Sequence, residues 1–207
     1  IEKNLEDKLR KAEKKVYQHK LVESESVRSS TISSLEETLR EKNHETEAHT
    51  RRIKKMVAQL GKKIKLTSNQ IDKLKLLASL HDIGKIAISD SILLKSGSLT
   101  EEEWDKVKKH PEIGYRIAQS TSELAPISDG ILHHHEWWDG TGYPRELSGE
   151  DIPLISRLIA IVDAYDVMTH ERSYKEAVSK NKALKELKKY AGKQFDPFLV
   201  EKFLEIL

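Results

Sequence analysis

Twelve consecutive residues, His133 to Pro144, read H-H-H-E-W-W-D-G-T-G-Y-P and set three imidazoles, two carboxylates, two tryptophans and two glycines side by side. So dense a set of donors suits a metal and phosphate loop better than a connecting turn. Gly140, Gly142 and Pro144 stop any helix arriving through Ile131 and Leu132, because glycine favours turns and proline removes a backbone donor. The histidines are therefore expected at the end of a helix, with the glycine loop beside them. The chain has no cysteine, so disulfides and thiolate ligands are excluded and any metal must be held by nitrogen and oxygen.

Other donors can be placed from apolar spacing. Ile71, Leu74, Ala78 and His81 recur at three, four and three along a helix expected from Asn69 to about Ile83, which puts His81 on its buried face. Neighbouring helical positions diverge by roughly 100°, so His81 and the adjacent Asp82 reach one cluster only where the helix ends. Gly84 is expected to end it. Lys85, just beyond, is placed to meet a phosphate. Glu45 and His49 stand four apart and project from one face. His49 also lies on the seam that Ile53, Met56 and Leu60 continue, so its ring should point inward; such a histidine is more often a hydrogen-bonded core residue than a ligand. His110 falls in the cap region of a helix opened by Pro111. Asp163 sits in the apolar run from Leu154 to Val162, where an ionised carboxylate is costly unless paired or metal-bound. Asp166, three residues on, faces the same side and can orient a ligand or a water.

His134, His135, Glu136, Trp138, Asp139, Gly140, Gly142, Tyr143 and Pro144 match H-H-E-x-W-D-G-x-G-Y-P, and His81 to Lys85 match H-D-x-G-K. On both halves, and from about Glu45 to the C-terminus, the chain resembles the HD-GYP phosphodiesterases. The resemblance implies metal ligands at His49, His81, Asp82, His110, His134, His135 and Asp163, with Glu45 joining them where a third ion is held. Such a set exceeds what one ion needs and implies at least two metals, iron first and manganese second. Two ions roughly 3.5 to 4 Å apart can bridge and deprotonate a water and stabilise an in-line displacement on phosphorus; Asp82 is the residue best placed to bridge them. The R-x-Y-K element at Arg172, Tyr174 and Lys175 resembles a phosphate clamp that Lys85 completes. The Gly140 to Pro144 loop, with Tyr143 toward substrate, would shape the pocket and meet a protein partner. The implied substrate is a cyclic dinucleotide, cyclic di-GMP or a mixed one, opened to linear pGpG and cut further to GMP. His133 precedes the family's pair, and a register shift would make His133 and His134 the ligands; the alignment to Glu136 argues against it.

The elements that must carry these residues read as helices throughout. No stretch alternates with period two, so the fold class is all-α, an HD-domain helical bundle preceded by a long N-terminal coiled-coil helix. Leu5, Leu9, Ala12, Val16 and His19 form one heptad seam. After six serines between Ser24 and Ser34, a second seam runs from Ile32 through Leu35 and Leu39 to Leu60. Residues 1–44 are therefore read as a signalling coiled coil that pairs two copies into a homodimer, and residues 45–207 as the catalytic domain. Thr100 before Glu101, Glu102 and Glu103 is a helix start. Pro153, Ser179 and Asp196-Pro197 mark three more.

The 207 residues carry 36 Lys and Arg against 34 Asp and Glu, a net +2, which gives no field to draw in a nucleic-acid polymer. No apolar run of about 18 residues and no leader pattern occurs. The chain starts at Ile1 and reads as a cytoplasmic fragment of a larger sensor. Two competing readings stand beside the cyclic dinucleotide hydrolase: a phosphohydrolase acting on another nucleotide, and a catalytically silent metal- or nucleotide-binding module.

Overall fold

A computed structural model describes residues 30–42, 47–171 and 177–207. The chain forms two units, Ile1–Glu37 and Thr38–Leu207. In the first, the described residues are 30–37, all helical; the coiled coil expected over residues 1–29 lies outside the described residues. Every described candidate site residue belongs to the second unit.

The described residues contain helices and turns, no strand, and two isolated bridges, Asp139 with Ser148 and Ala191 with Phe195. Residues 30–42 are α1. α2 (Glu47–Lys63) buries Ile53, Val57 and Leu60 with His49 on the same stripe, one turn above Ile53. α3 (Ser68–Leu80) starts at a reciprocal cap in which Thr67 Oγ1 accepts from Gln70 N and Gln70 Oε1 accepts from Thr67 N. α4 (Asp90–Leu93), α5 (Glu101–Val107) and α6 (His110–Gln119) follow, α5 opened by the Thr100–Glu103 capping pair and α6 by Pro111 in its first turn. α7 (Ser128–Leu132) ends just before the three histidines. α8 (Leu154–Thr169) begins directly after Pro153; α9 (Lys180–Tyr190) is capped by Ser179, and α10 (Pro197–Leu204) by Asp196. α2 packs against both α3 and α8, and the fully buried Leu74, Leu77, Leu158, Ile159, Ile161 and Val162 form the core between them.

Two features of the α3 exit differ from expectation. The helix stops at Leu80, and residues Ile83–Ala87 continue as a 3-10 turn rather than as α-helix. Gly84 does not end the helix; it lets the turn lie directly against α6. A Cβ there would fall 1.9 Å from His110 O and 2.6 Å from Gly114 N, both backbone atoms that cannot swing aside. The absent side chain is what allows the His81-Asp82 pair and His110 to approach each other.

Candidate metal centre

Five supports present the donors: α2 carries His49, the exit of α3 carries His81 and Asp82, α6 begins with His110, the end of α7 leads into His134 and His135, and α8 carries Asp163. One ligand-type atom from each of Asp82, His110, His134 and His135 lies within 4.8 Å of all the others. Asp82 Oδ1 is 3.1 Å from His110 Nε2 and 3.6 Å from His134 Nε2, and the two nitrogens are 3.2 Å apart. The opposite edge of each ring is already engaged, His110 Nδ1–H donating to Val107 O at 2.7 Å and His134 Nδ1–H to Ile131 O at 2.6 Å. A carbonyl only accepts, so Nδ1 holds the proton and, in a neutral ring, Nε2 presents a lone pair. Two imidazole lone pairs and a carboxylate oxygen therefore converge on one point. A proton or a cation among them relieves the repulsion of such an arrangement, and hard oxygen with borderline imidazole suits a divalent transition metal.

Local electrostatics keep the donors in their binding forms. Burial drives the His134 pKa down to about 4, outweighing the hydrogen bond toward Asp82 that raises it. His135 is pushed well below the usual histidine range by burial, then by His134 and His110. For Asp82, burial works to raise the pKa. The Lys85 ammonium, with Nζ 2.5 Å from Oδ2, and then His81 outweigh it and hold the carboxyl well below its ordinary range. His81 Nε2 also faces Oδ2, at 3.7 Å. The two oxygens of Asp82 thus look toward different partners, Oδ1 toward His110 and His134, Oδ2 toward His81 and Lys85.

His49 and Asp163 form a second pair, His49 Nε2 lying 3.6 Å from Asp163 Oδ1. Asp163 is less buried than its apolar run implied, its side chain 30% exposed, because it faces a cavity rather than the core. That cavity, of about 100 Å³, is lined by His81, His134, His135, Trp137, Asp163 and Gln194 among others. Behind His49, Asp166 Oδ2 accepts from His49 Nδ1 at 2.7 Å. Arg52 donates Nε to Asp166 Oδ1 at 2.6 Å and Nη2 to Oδ2 at 2.8 Å. Burial acts to raise the Asp166 pKa, yet the hydrogen bonds from Arg52 and His49 bring it down to about 2. Arg52 was not singled out from the sequence, although a carboxylate embedded in α8 needs a counter-charge and Arg52 sits one turn from His49.

The glycine loop folds back over the histidines. Glu136, buried, is not aimed at the cluster: its Oε1 accepts from Arg145 N at 2.7 Å and its Oε2 from Leu147 N at 3.1 Å. Gly142 must be glycine, since a Cβ there would meet Trp137 N at 2.2 Å. Tyr143 N donates to His135 O at 3.2 Å, and the Tyr143 ring stacks on the His135 ring at 4.8 Å between centroids and 24° between planes. The Tyr143 phenol is raised by burial, then by the Asp82 charge, and so stays protonated. His133 stands apart from the cluster, its Nδ1 donating to Asp129 O at 2.9 Å. Trp138 lines a separate groove with Leu154, Arg157 and Phe198. Glu45, Arg172, Tyr174 and Lys175 lie outside the described residues.

A helical body with a His-Asp pair at one helix exit and imidazoles converging on the aspartate from neighbouring helices defines a His/Asp metal-site domain. The chain belongs to the HD domain family, whose model matches residues 33–199. It is 41% identical over 199 residues to a cyclic di-GMP phosphodiesterase of Vibrio cholerae, covering 89% of this chain and 40% of that protein. A 3'3'-cGAMP-specific phosphodiesterase 2 of the same organism is 38% identical over 176 residues, covering 84% of this chain and 34% of that protein. The chain therefore spans well under half the length of these two relatives. A crystal structure of a cyclic GMP-AMP-specific phosphodiesterase from V. cholerae matches with a TM-score of 0.64 at 22% identity, over 86% of this chain and 48% of that one, a likeness of fold.

Proposed function

We propose that this domain hydrolyses a phosphodiester of a cyclic dinucleotide, cyclic di-GMP first, to linear pGpG and onward to GMP, at a centre of two or three metal ions, iron first and manganese second. The observation that carries the reading is the convergence of His110 Nε2, His134 Nε2 and Asp82 Oδ1 with both Nδ1 protons already donated to carbonyls. Ions bound there would polarise both a water and the phosphodiester oxygens. His110, His134, His135 and Asp82 would hold one ion. His49, His81 and Asp163 would hold a second, with Glu45 available to a third; Asp82, ionised and facing both ways, would serve two at once. Lys85 would turn its ammonium to a non-bridging phosphate oxygen, with Arg172 and Lys175 completing the clamp.

The size of the cavity supports a limited role for it. About 100 Å³ admits ions, waters and a phosphodiester, whereas whole-ligand pockets run to roughly 300–1,000 Å³. The two nucleosides would therefore lie outside it. The relative specific for 3'3'-cGAMP favours a second reading, in which the mixed cyclic dinucleotide is preferred. Residues 1–44 would act as a regulatory coiled coil that joins two copies, and the glycine loop would meet a protein partner.

Turnover with added iron or manganese under reducing conditions, against cyclic di-GMP, 3'3'-cGAMP and a linear dinucleotide, tests the proposal. Linear product that disappears in Asp82→Asn is the expected result. Binding without product would leave the silent module; product only from other nucleotides would point to a different phosphohydrolase.

A further inference from the structure

The candidate imidazoles are oriented in different ways, and His81 turns Nε2 toward Asp82 while its buried Nδ1 meets no hydrogen-bond partner. His110 and His134 each point Nδ1–H at a main-chain carbonyl, and His49 points Nδ1 at Asp166. Such contacts on the far edge of a ring are the usual means of fixing a ligand's plane and tautomer. His135 has ring contacts instead: among the described residues the Tyr143 ring alone stacks near-parallel on it, 4.8 Å away at 24°, while the His134 and His110 rings meet it tilted at 4.1 Å and edge-on at 5.0 Å, and no ring nitrogen of His135 donates to a carbonyl or carboxylate.

The surrounding loop is built to hold that face still. The Glu136 carboxylate gathers the amides of Arg145 and Leu147. Asp139 Oδ1 accepts from Thr141 N at 3.0 Å and from its hydroxyl at 2.7 Å. Gly142 allows the chain to pass within contact of the Glu136–Trp137 backbone. Tyr143 N is tied to His135 O, so tyrosine and histidine are fixed to each other by main chain and by ring. Lys108 Nζ lies over the Tyr143 ring, 5.9 Å from its centre.

We infer that Tyr143 is a positioning residue for the candidate ligand His135: its ring, locked by the loop, sets the plane in which the His135 imidazole meets the metal cluster. This assigns the aromatic ring, not the phenol hydroxyl, as the working part of Tyr143, and it differs from a direct contact with substrate. It rests on the metal-centre reading given above.

The test uses the full chain loaded anaerobically with manganese, with ion stoichiometry and affinity read by competition against a chelator. Tyr143→Phe keeps the ring and should bind within about threefold of wild type. Tyr143→Leu, apolar but smaller and without a ring, should lose one ion or weaken it about 10- to 100-fold, the usual loss when a ligand's support is removed. A leucine variant that loads like wild type while only KM rises would overturn the inference and make Tyr143 a substrate contact. Equal losses in both variants would assign the hydroxyl and overturn it as well. A wild-type chain that takes up no ion would sink the metal-centre reading and this inference together, a distinguishable failure. Should the leucine variant unfold, Tyr143→Met, apolar and without a ring, takes its place in the same chelator competition: a lost or weakened ion supports the inference, and wild-type loading overturns it.

Discussion

At the scale of single residues, the site depends on buried charges that are individually expensive and mutually compensating. Asp166 is the clearest case. Its carboxylate is 1% exposed yet ionised, because Arg52 and His49 donate to it. Its folded pKa of about 2 lies below the ordinary aspartate value near 4, so the stabilisation is fully present above about pH 4 and is lost as pH falls through about 2. A carboxyl held that far below its ordinary value contributes about 2 kcal/mol to stability near neutral pH. In chelator-treated protein, Asp166→Asn should be less stable than wild type by about that amount or more near neutral pH, and urea melts should show the gap narrowing between about pH 4 and 2. A gap that ignores pH would mean that charge is not what Asp166 contributes. The sequence could not supply this pairing, because Arg52 is one of 36 basic residues and its partner stands 114 positions away. His81-Asp82 and the His134-His135 pair could be singled out from sequence for the opposite reason, since their chemistry is contiguous in the chain.

At the scale of elements, two backbone arrangements carry the geometry. The 3-10 turn of Ile83–Ala87 meets α6 at Gly84, where any Cβ would strike the His110 carbonyl. Gly84→Ala should therefore cost about 3 kcal/mol or more in a urea melt and reduce metal uptake. Gly97→Ala, at a position where a Cβ meets nothing within 4 Å, should stay within about 0.5 kcal/mol of wild type. The glycine loop depends in turn on Glu136. Glu136→Gln replaces one acceptor oxygen with a donor facing a main-chain N–H, which should cost about 1–3 kcal/mol and speed hydrogen exchange at the Arg145 and Leu147 amides first. Helix starts at Thr100, Ser179 and Asp196 were readable from sequence because a cap is decided within four residues. The exit of α3 was not, since Gly84 answers to a helix 26 positions further on, at His110. Nothing local distinguishes a glycine that ends a helix from one that makes room for another.

At the scale of the whole molecule, the donors come from α2, the exit of α3, the start of α6, the end of α7 and α8, so bound ions would join most of the helical body. Ions held at 100 times their dissociation constant stabilise the folded state by about 2.7 kcal/mol. For a chain of this length that is about 5–10 °C in Tm. Chelation should lower Tm by this range and manganese should restore it; a melt unaffected by either would argue that the donors are held apart by the scaffold alone. The chain's three tryptophans are distributed unequally around that centre: Trp137 forms part of the cavity wall, Trp138 faces another groove, and Trp104 is about half exposed on α5. The protein consequently carries its own optical gauge. A paramagnetic ion entering the cavity would quench the emission of Trp137 and of its chain neighbour Trp138 while Trp104 on α5 supplies the background, so occupancy could be followed in unlabelled protein as the cluster fills.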